Sequence, residues 1–193
     1  MAVTSETRSG VYGQKYISML AGNPPYIPSD FFSIATVTLG SSSATVTFSS
    51  IPSTYKHLQL RCSYSNLSGD FDKIQFNGDS GTNYKVQRAT AMTSTTSGQI
   101  LNTQAGLVID RYSTNGQTYT TLKDGCIIDI FNYASTSFNK SVRTVYGHVD
   151  ADGGYTGMNA GVWLSTAAIN SIVFSTNGGN FTTGSKFALY GVN

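Results

Sequence analysis

From Phe32 to the C-terminus, the sequence is built from short runs in which apolar and polar residues alternate. Alternation with a period of two places apolar side chains on one face of a β-strand. The runs "ATVTFSS", "KHLQLRCSYS" and "DKIQFN" are examples, glycine-rich or serine-rich turns separate the runs, and a final run, "KFALYGV", lies at the C-terminus. No segment has the 3.6-residue period of an amphipathic helix. The pattern predicts an all-β domain of about ten strands.

The last of these runs is apolar on both of its faces. In an extended chain Phe187 and Leu189 point to one side, and Ala188, Tyr190 and Val192 point to the other. A strand that is covered on both sides normally lies between two other strands, so we expect it to pair with a strand from the start of the domain. This long-range closure predicts a two-sheet antiparallel sandwich, and specifically a jelly roll.

Tight turns are predicted where residues that tolerate positive φ follow one another. Asn77-Gly78 and Asp124-Gly125 have the composition of two-residue hairpin turns, and "TNGGNFTTG" supplies another turn. The sequence therefore predicts hairpins at both dipeptides.

The beginning of the chain differs from the rest. It has neither strand nor helix periodicity and holds three of the four prolines. We interpret residues 1–31 as an extended arm and residues 32–193 as the sandwich domain; an unattached terminus is the alternative. About thirty extended residues reach on the order of 100 Å, which is far enough to cross a neighbouring subunit. The predicted partner-binding side chains of the arm are Tyr12, Tyr16, Ile17, Met19, Leu20, Tyr26 and Ile27.

The composition limits the classes of partner. Charged residues make up 11% of the chain, the formal net charge is +2, and the basic residues are scattered. We therefore expect no nucleic-acid partner. No apolar run is long enough for a membrane helix or a signal core, so we expect no membrane partner and production in the cytoplasm. Cys62 and Cys126 lie in strand-like runs and are predicted to be buried thiols, with a disulfide as the alternative.

Residues that could bind a metal do not have a metal-binding spacing. His57 is predicted to lie on the polar face of a strand. His148 lies near Asp150 and Asp152, but the chain has no HxxxH, HExxH or CxxC pattern. We interpret "DADGG" as a hairpin turn, with a calcium loop as the alternative. Asp72, beside a strand, is predicted to be solvated.

Catalytic patterns are also missing from the sequence. There is no GxSxG motif, and most of the ten acidic residues lie in predicted turns. Trp163 is predicted to be a core residue rather than a sugar-stacking platform. We therefore expect neither enzymatic activity nor a cofactor or metal. A small glycan-active enzyme or a free carbohydrate-binding module is the alternative from a different class.

Three stretches of the chain resemble a family of tailed-phage virion proteins that is common in phages of aquatic bacteria, especially cyanophages. They are "SIATVTLGSSSATVTFSSIPSTYKHLQLR", "IQFNGDSGTNY" and "INSIVFSTNGGNFTTGSKFALYGVN". The resemblance covers most of Ser33 to Asn193. It implies a capsid decoration (cement) protein or a tail-fibre or adhesin module, without a catalytic motif.

Together, the resemblance and the arm lead to one expected function. We expect a capsid decoration protein that is assembled in the host cytoplasm onto the virion and binds the major capsid protein or another virion protein. We also expect a symmetric homo-oligomer, such as a trimer, attached by its arm. The alternative is a tail fibre or other tail component whose sandwich binds a host-surface glycan.

Overall fold

The computed structural model of the protein describes residues 30–66, 72–92, 96–109, 124–150 and 153–193. These residues form twelve β-strands and no helix, which confirms the prediction of an all-β domain. The strands are β1 (Phe31–Thr38), β2 (Thr45–Phe48), β3 (His57–Tyr64), β4 (Asp72–Phe76), β5 (Tyr84–Met92), β6 (Thr96–Gln104), β7 (Leu107–Val108), β8 (Asp124–Phe131), β9 (Lys140–Asp150), β10 (Gly153–Trp163), β11 (Ile172–Thr176) and β12 (Lys186–Val192).

The strands form two antiparallel sheets, as the sequence predicted. The larger sheet has eight strands in the order β1-β12-β3-β8-β9-β10-β5-β6, and the smaller has four in the order β2-β11-β4-β7. One core cluster joins apolar side chains from both sheets, so the architecture is a β-sandwich. The strand order does not establish a jelly roll, which stays a prediction.

The last strand closes the larger sheet. β12 lies between β1 and β3, which confirms the predicted pairing with a strand from the start of the domain. Its Phe187 is buried beside Tyr64, with the ring centroids 5.7 Å apart, and Tyr64 also contacts Phe174 and Phe181. Only this inner face is fully covered. Tyr190, on the opposite face, is half-buried, so the expectation of cover on both sides was wrong.

Several strand boundaries differ from the prediction of about ten strands. Pairing begins at Phe31, one residue before the predicted domain boundary. Residues 96–108 contain two strands, β6 and β7, which belong to different sheets. β10 begins at Gly153, and within it a Cβ atom at Gly157 would fall on the ring of Tyr146, so this glycine permits close packing.

The two predicted hairpin turns have different outcomes. Asn77 and Gly78 do adopt positive φ values of 53° and 72°, but the strands on either side belong to different sheets. The turn therefore carries the chain from one sheet to the other. The prediction for Asp124-Gly125 was wrong: Gly125 lies inside β8, where it pairs with both β3 and β9 and must be extended.

Candidate interaction surface

The outer face of the eight-stranded sheet carries a line of exposed apolar side chains. Ile127, Val145 and Met158 are 45%, 48% and 53% exposed. They lie directly opposite one another on β8, β9 and β10, and Ala89 of β5 continues the line. Successive strands are about 4.8 Å apart, so this apolar row spans roughly 14 Å across four strands. We call Ala89, Met158, Val145 and Ile127 the apolar row.

The positively charged side chain of Arg61 lies at one end of the apolar row. Arg61 of β3 is directly opposite Ile127. Its guanidinium carbon lies 4.7 Å from the centroid of the Phe31 ring and 4.9 Å from that of Tyr190. Its Nε donates a hydrogen bond to Oε1 of Gln59 over 2.7 Å. Cation–π contact and hydrogen bonding together fix the charge beside the apolar row.

A second line, parallel to the first, is polar. Gln59, Asp129 and Arg143 are opposite one another on β3, β8 and β9. Arg143 donates to Asp129 Oδ2 over 2.6 Å and 3.1 Å, and Gln59 Nε2 donates to Asp129 Oδ1 over 2.7 Å. An exposed ion pair stabilises the fold by only about 0–1 kcal/mol, so its main effect is to order these groups. We call Gln59, Asp129 and Arg143 the polar row.

A shallow depression lies on the outer face near β6, at the opposite edge of the sheet from Arg61. Its volume is about 280 Å³, and the side chain of Ile100, 65% exposed, borders it. The lining residues belong to β5, β6 and β10: Lys85, Val86, Gln87, Ile100, Ala160, Gly161 and Val162. The outer face is thus an open surface with apolar, polar and cationic parts, which suits contact with another large molecule.

The structure describes the side chain of one of the two histidines. His57 begins β3 on the outer face, which agrees with the predicted polar position. Its Nδ1 accepts a hydrogen bond from the Asn132 N–H over 3.1 Å, and its ring makes an edge contact with Phe131. The side chain of His148 lies outside the described residues.

The predicted turn at "DADGG" connects β9 to β10. Asp150 pairs with Gly153, as expected for the ends of a hairpin, while Asp152 lies outside the described residues. Among the residues that the structure describes, no three His, Cys, Asp or Glu side chains are grouped so as to hold a metal ion.

Trp163 is buried, as predicted, and is therefore not available as a sugar-stacking platform. Its indole Nε1 donates to Asp79 Oδ2 over 2.7 Å, and its ring packs on Phe76 and Tyr84. The hydrogen bonds from Trp163 and Asn83 hold the pKa of Asp79 below its ordinary value. These contacts give Trp163 a structural role.

Three buried charged side chains were not anticipated, namely Asp72, Arg88 and Lys140. The prediction of a solvated Asp72 was wrong: its side chain is buried, accepts a hydrogen bond from Asn66 Nδ2 over 3.2 Å, and burial raises its pKa to about 6. Lys140 is buried as well, and its Nζ donates to the carbonyl oxygens of Phe138 and Thr166. Desolvation lowers the pKa of Lys140.

The cysteines are buried thiols, in agreement with the prediction. Cys62 of β3 and Cys126 of β8 are directly opposite each other, and neither is in a disulfide. The sequence could not reveal this proximity, because strand pairing depends on the fold as a whole.

The predicted binding residues of the arm lie outside the described residues. They are Tyr12, Tyr16, Ile17, Met19, Leu20, Tyr26 and Ile27. Sequence reasoning missed the apolar row on the outer face. One signal was available: in "GCIIDIF", two successive isoleucines break the alternation, so one of them must face outward.

Comparison with known proteins identified no similar protein. No protein-family model, no curated protein and no solved structure matches this chain. In the part of the chain that the structure describes, no helix has the length and apolar character needed to cross a membrane.

Proposed function

We propose that this protein is a virion structural protein, namely a capsid decoration (cement) protein that binds the major capsid protein. It is assembled onto the particle in the host cytoplasm and acts without catalysis or a cofactor. The observation that carries the proposal is the apolar row: Ile127, Val145 and Met158 stand in line on an open sheet face.

The chemistry of the outer face supports a large, flat partner. Ile127, Val145 and Met158 are each about half exposed, so covering one of them contributes roughly 1 kcal/mol before ordering costs. A sheet face is already rigid, so little conformational entropy is lost on binding. The polar row and Arg61 add directional contacts that fix the orientation of the partner.

The arm supplies a second attachment in this proposal. Its aromatic and apolar residues, with the prolines at 24, 25 and 28, are suited to lie extended on a neighbouring protein. Two linked contacts bind far more tightly than either alone. A chain that lacks residues 1–28 is expected to fold and to bind particles more weakly, as measured by co-sedimentation with particles that lack the native protein. Equal binding by the shortened chain would assign attachment to the sheet face alone.

The copy number in purified virions tests the proposed role. Quantitative mass spectrometry against the major capsid protein is expected to give hundreds of copies, in a fixed ratio to the capsid lattice. A handful of copies would indicate a tail component. Absence from the particle would contradict any virion role.

The tail alternative is favoured by one observation. Gln59, Asp129 and Arg143 present planar hydrogen-bonding groups in a line beside the Tyr190 ring, a combination that suits sugar hydroxyls. If the protein is a tail component, it should bind host-surface polysaccharide, and Gln59→Ala should weaken that binding. Particles that bind the host equally well with and without this protein would argue against the alternative.

A further inference from the structure

The edge strand β6 differs from the other strands that end a sheet. Exposed strand edges attract other chains, and proteins normally protect them with charges, prolines, bulges or short length. β2 and β7 have only four and two residues, and β1 has a register shift between Ser33 and Ala35. β6 has nine residues, "TSGQILNTQ", with no charge and no proline. Its irregularity lies near Thr103, so Thr96–Leu101 form a regular edge.

The hydrogen-bonding direction of β6 follows from its neighbours. The N–H of Leu164 donates to the carbonyl oxygen of Asn83 over 2.8 Å, at the end of the β10–β5 ladder. Bonding direction alternates along an antiparallel strand. On β5, every second residue counted from Asn83, such as Gln87, therefore forms its backbone hydrogen bonds with β10. The residues between them, such as Val86, form theirs with β6.

The same alternation continues into the edge strand. Val86 is opposite Leu101, so Leu101 directs its backbone groups toward β5. Gly98 and Ile100 then direct their N–H and C=O groups to the other side, where no strand of the described part of the chain pairs with them. The edge presents a regular row of backbone donors and acceptors.

We propose that β6 pairs antiparallel with β6 of a second copy of this chain, about a two-fold axis within Gly98–Ile100. The larger sheets of the two copies then form one continuous sheet. A two-fold axis brings identical residues close together, and the absence of charge on β6 means that no like charges meet there. A two-fold assembly differs from the trimer expected from the sequence, and this inference does not depend on the virion role.

The surroundings of β6 also favour a second copy. Ile100 projects from the outer face with two-thirds of its surface exposed, beside the depression of about 280 Å³. A strand added at the edge would extend the outer face past Ile100 and bring a second Ile100 near this depression. Pairing therefore satisfies the backbone edge and also covers apolar surface.

The mass of the full-length chain in solution tests the proposal, measured by light scattering over a concentration series. The wild-type protein is expected to be a dimer. Ile100→Pro removes an N–H from the open edge and leaves the bonds to β5 in place. Each substitution removes two hydrogen bonds from a two-fold pair, so the dissociation constant should rise roughly tenfold or more. The control Ile100→Val keeps the N–H, so its dissociation constant should stay close to that of wild type.

Three results would overturn the proposal: a monomeric wild-type protein, a wild-type trimer, or a dimer that Ile100→Pro leaves unchanged. If circular dichroism reveals that Ile100→Pro no longer folds, Ile100→Lys decides instead. Residue 100 is exposed, so the lysine leaves the core intact and places two like charges near the axis. A weakened Ile100→Lys dimer supports β6 pairing, and a dimer of unchanged affinity excludes it.

Discussion

The two faces of the eight-stranded sheet differ in how far they bury the same residue type. Ile127 and Ile128 are neighbours on β8, yet Ile128 is fully buried and Ile127 is 45% exposed. Only the inner face is covered by the four-stranded sheet, and alternation sends successive side chains to opposite faces. Position relative to the second sheet, and not hydrophobicity, decides which isoleucine stabilises the fold. In the proposed function, the exposed one is available for contact with another molecule.

The inner face itself has two parts. Near β12 it is apolar and aromatic, with Tyr64 and Phe187 packed together. Toward β9, β10 and β5 it is more polar and largely hydrogen-bonded: the hydroxyls of Thr90 and Tyr146 are 2.8 Å apart, and Asn159 Nδ2 donates to backbone carbonyl oxygens, while its Oδ1 has no partner in the described structure. Buried polar groups with partners cost little free energy, so both parts can serve as a core.

Removing the final strand should have the largest effect on the inner face. A chain without residues 187–193 loses Phe187 and Leu189 from the core and separates β1 from β3. We expect no soluble folded protein, as measured by soluble yield and far-ultraviolet circular dichroism. A soluble truncated chain with an unchanged melting temperature would place this strand outside the essential core.

Substituting Ile127 or Ile128 by alanine compares the contributions of the outer and inner faces to stability. Ile128→Ala should lower the free energy of unfolding by about 2–5 kcal/mol, because it opens a cavity in the core. Ile127→Ala on the outer face should change it by about 0.5 kcal/mol or less. Urea unfolding of both variants measures the difference. Equal losses would mean that the outer face is covered in the isolated protein.

A buried carboxyl group on the smaller sheet should give a pH effect of intermediate size. Burial raises the pKa of Asp72 to about 6, above its ordinary value of 3.8, so the folded state favours the protonated form. The free energy of unfolding should therefore fall as pH rises from about 4 to about 6, by roughly 3 kcal/mol, and then level off. Asp72→Asn should flatten this dependence in urea unfolding between those pH values. An unchanged slope in the variant would assign the pH dependence to other groups.

The sequence predicts the fold better than it predicts the surface. The pairing of β12 with a strand from the start of the domain was predicted correctly, although only one face of β12 is fully covered. The turn at Asn77-Gly78 was predictable from its φ preferences, but those preferences say nothing about which sheets it connects. Local composition does not determine strand pairing.

The candidate site was not predictable for the same reason. Ile127, Val145 and Met158 are separated by more than ten residues in each case, and only the register of β8, β9 and β10 brings them into line. The burial of Asp72 likewise depends on the β11 and β7 strands that flank β4. Both features follow from long-range pairing, which alternation alone does not specify.

The outer face should contribute least to stability and most to attachment, and one pair of variants tests this claim directly. Met158→Glu places a charge in the apolar row, while Thr47→Glu places one on the exposed side of the smaller sheet as a matched control. Both should change the free energy of unfolding by about 0.5 kcal/mol or less.

The decisive measurement is binding of these variants to virus particles that lack the native protein, quantified by co-sedimentation. We predict that Met158→Glu weakens binding by roughly tenfold or more, because a carboxylate must be desolvated against an apolar partner, while Thr47→Glu binds as wild type does. If Met158→Glu decorated the particles as well as the wild-type protein, the outer face would not be the attachment surface.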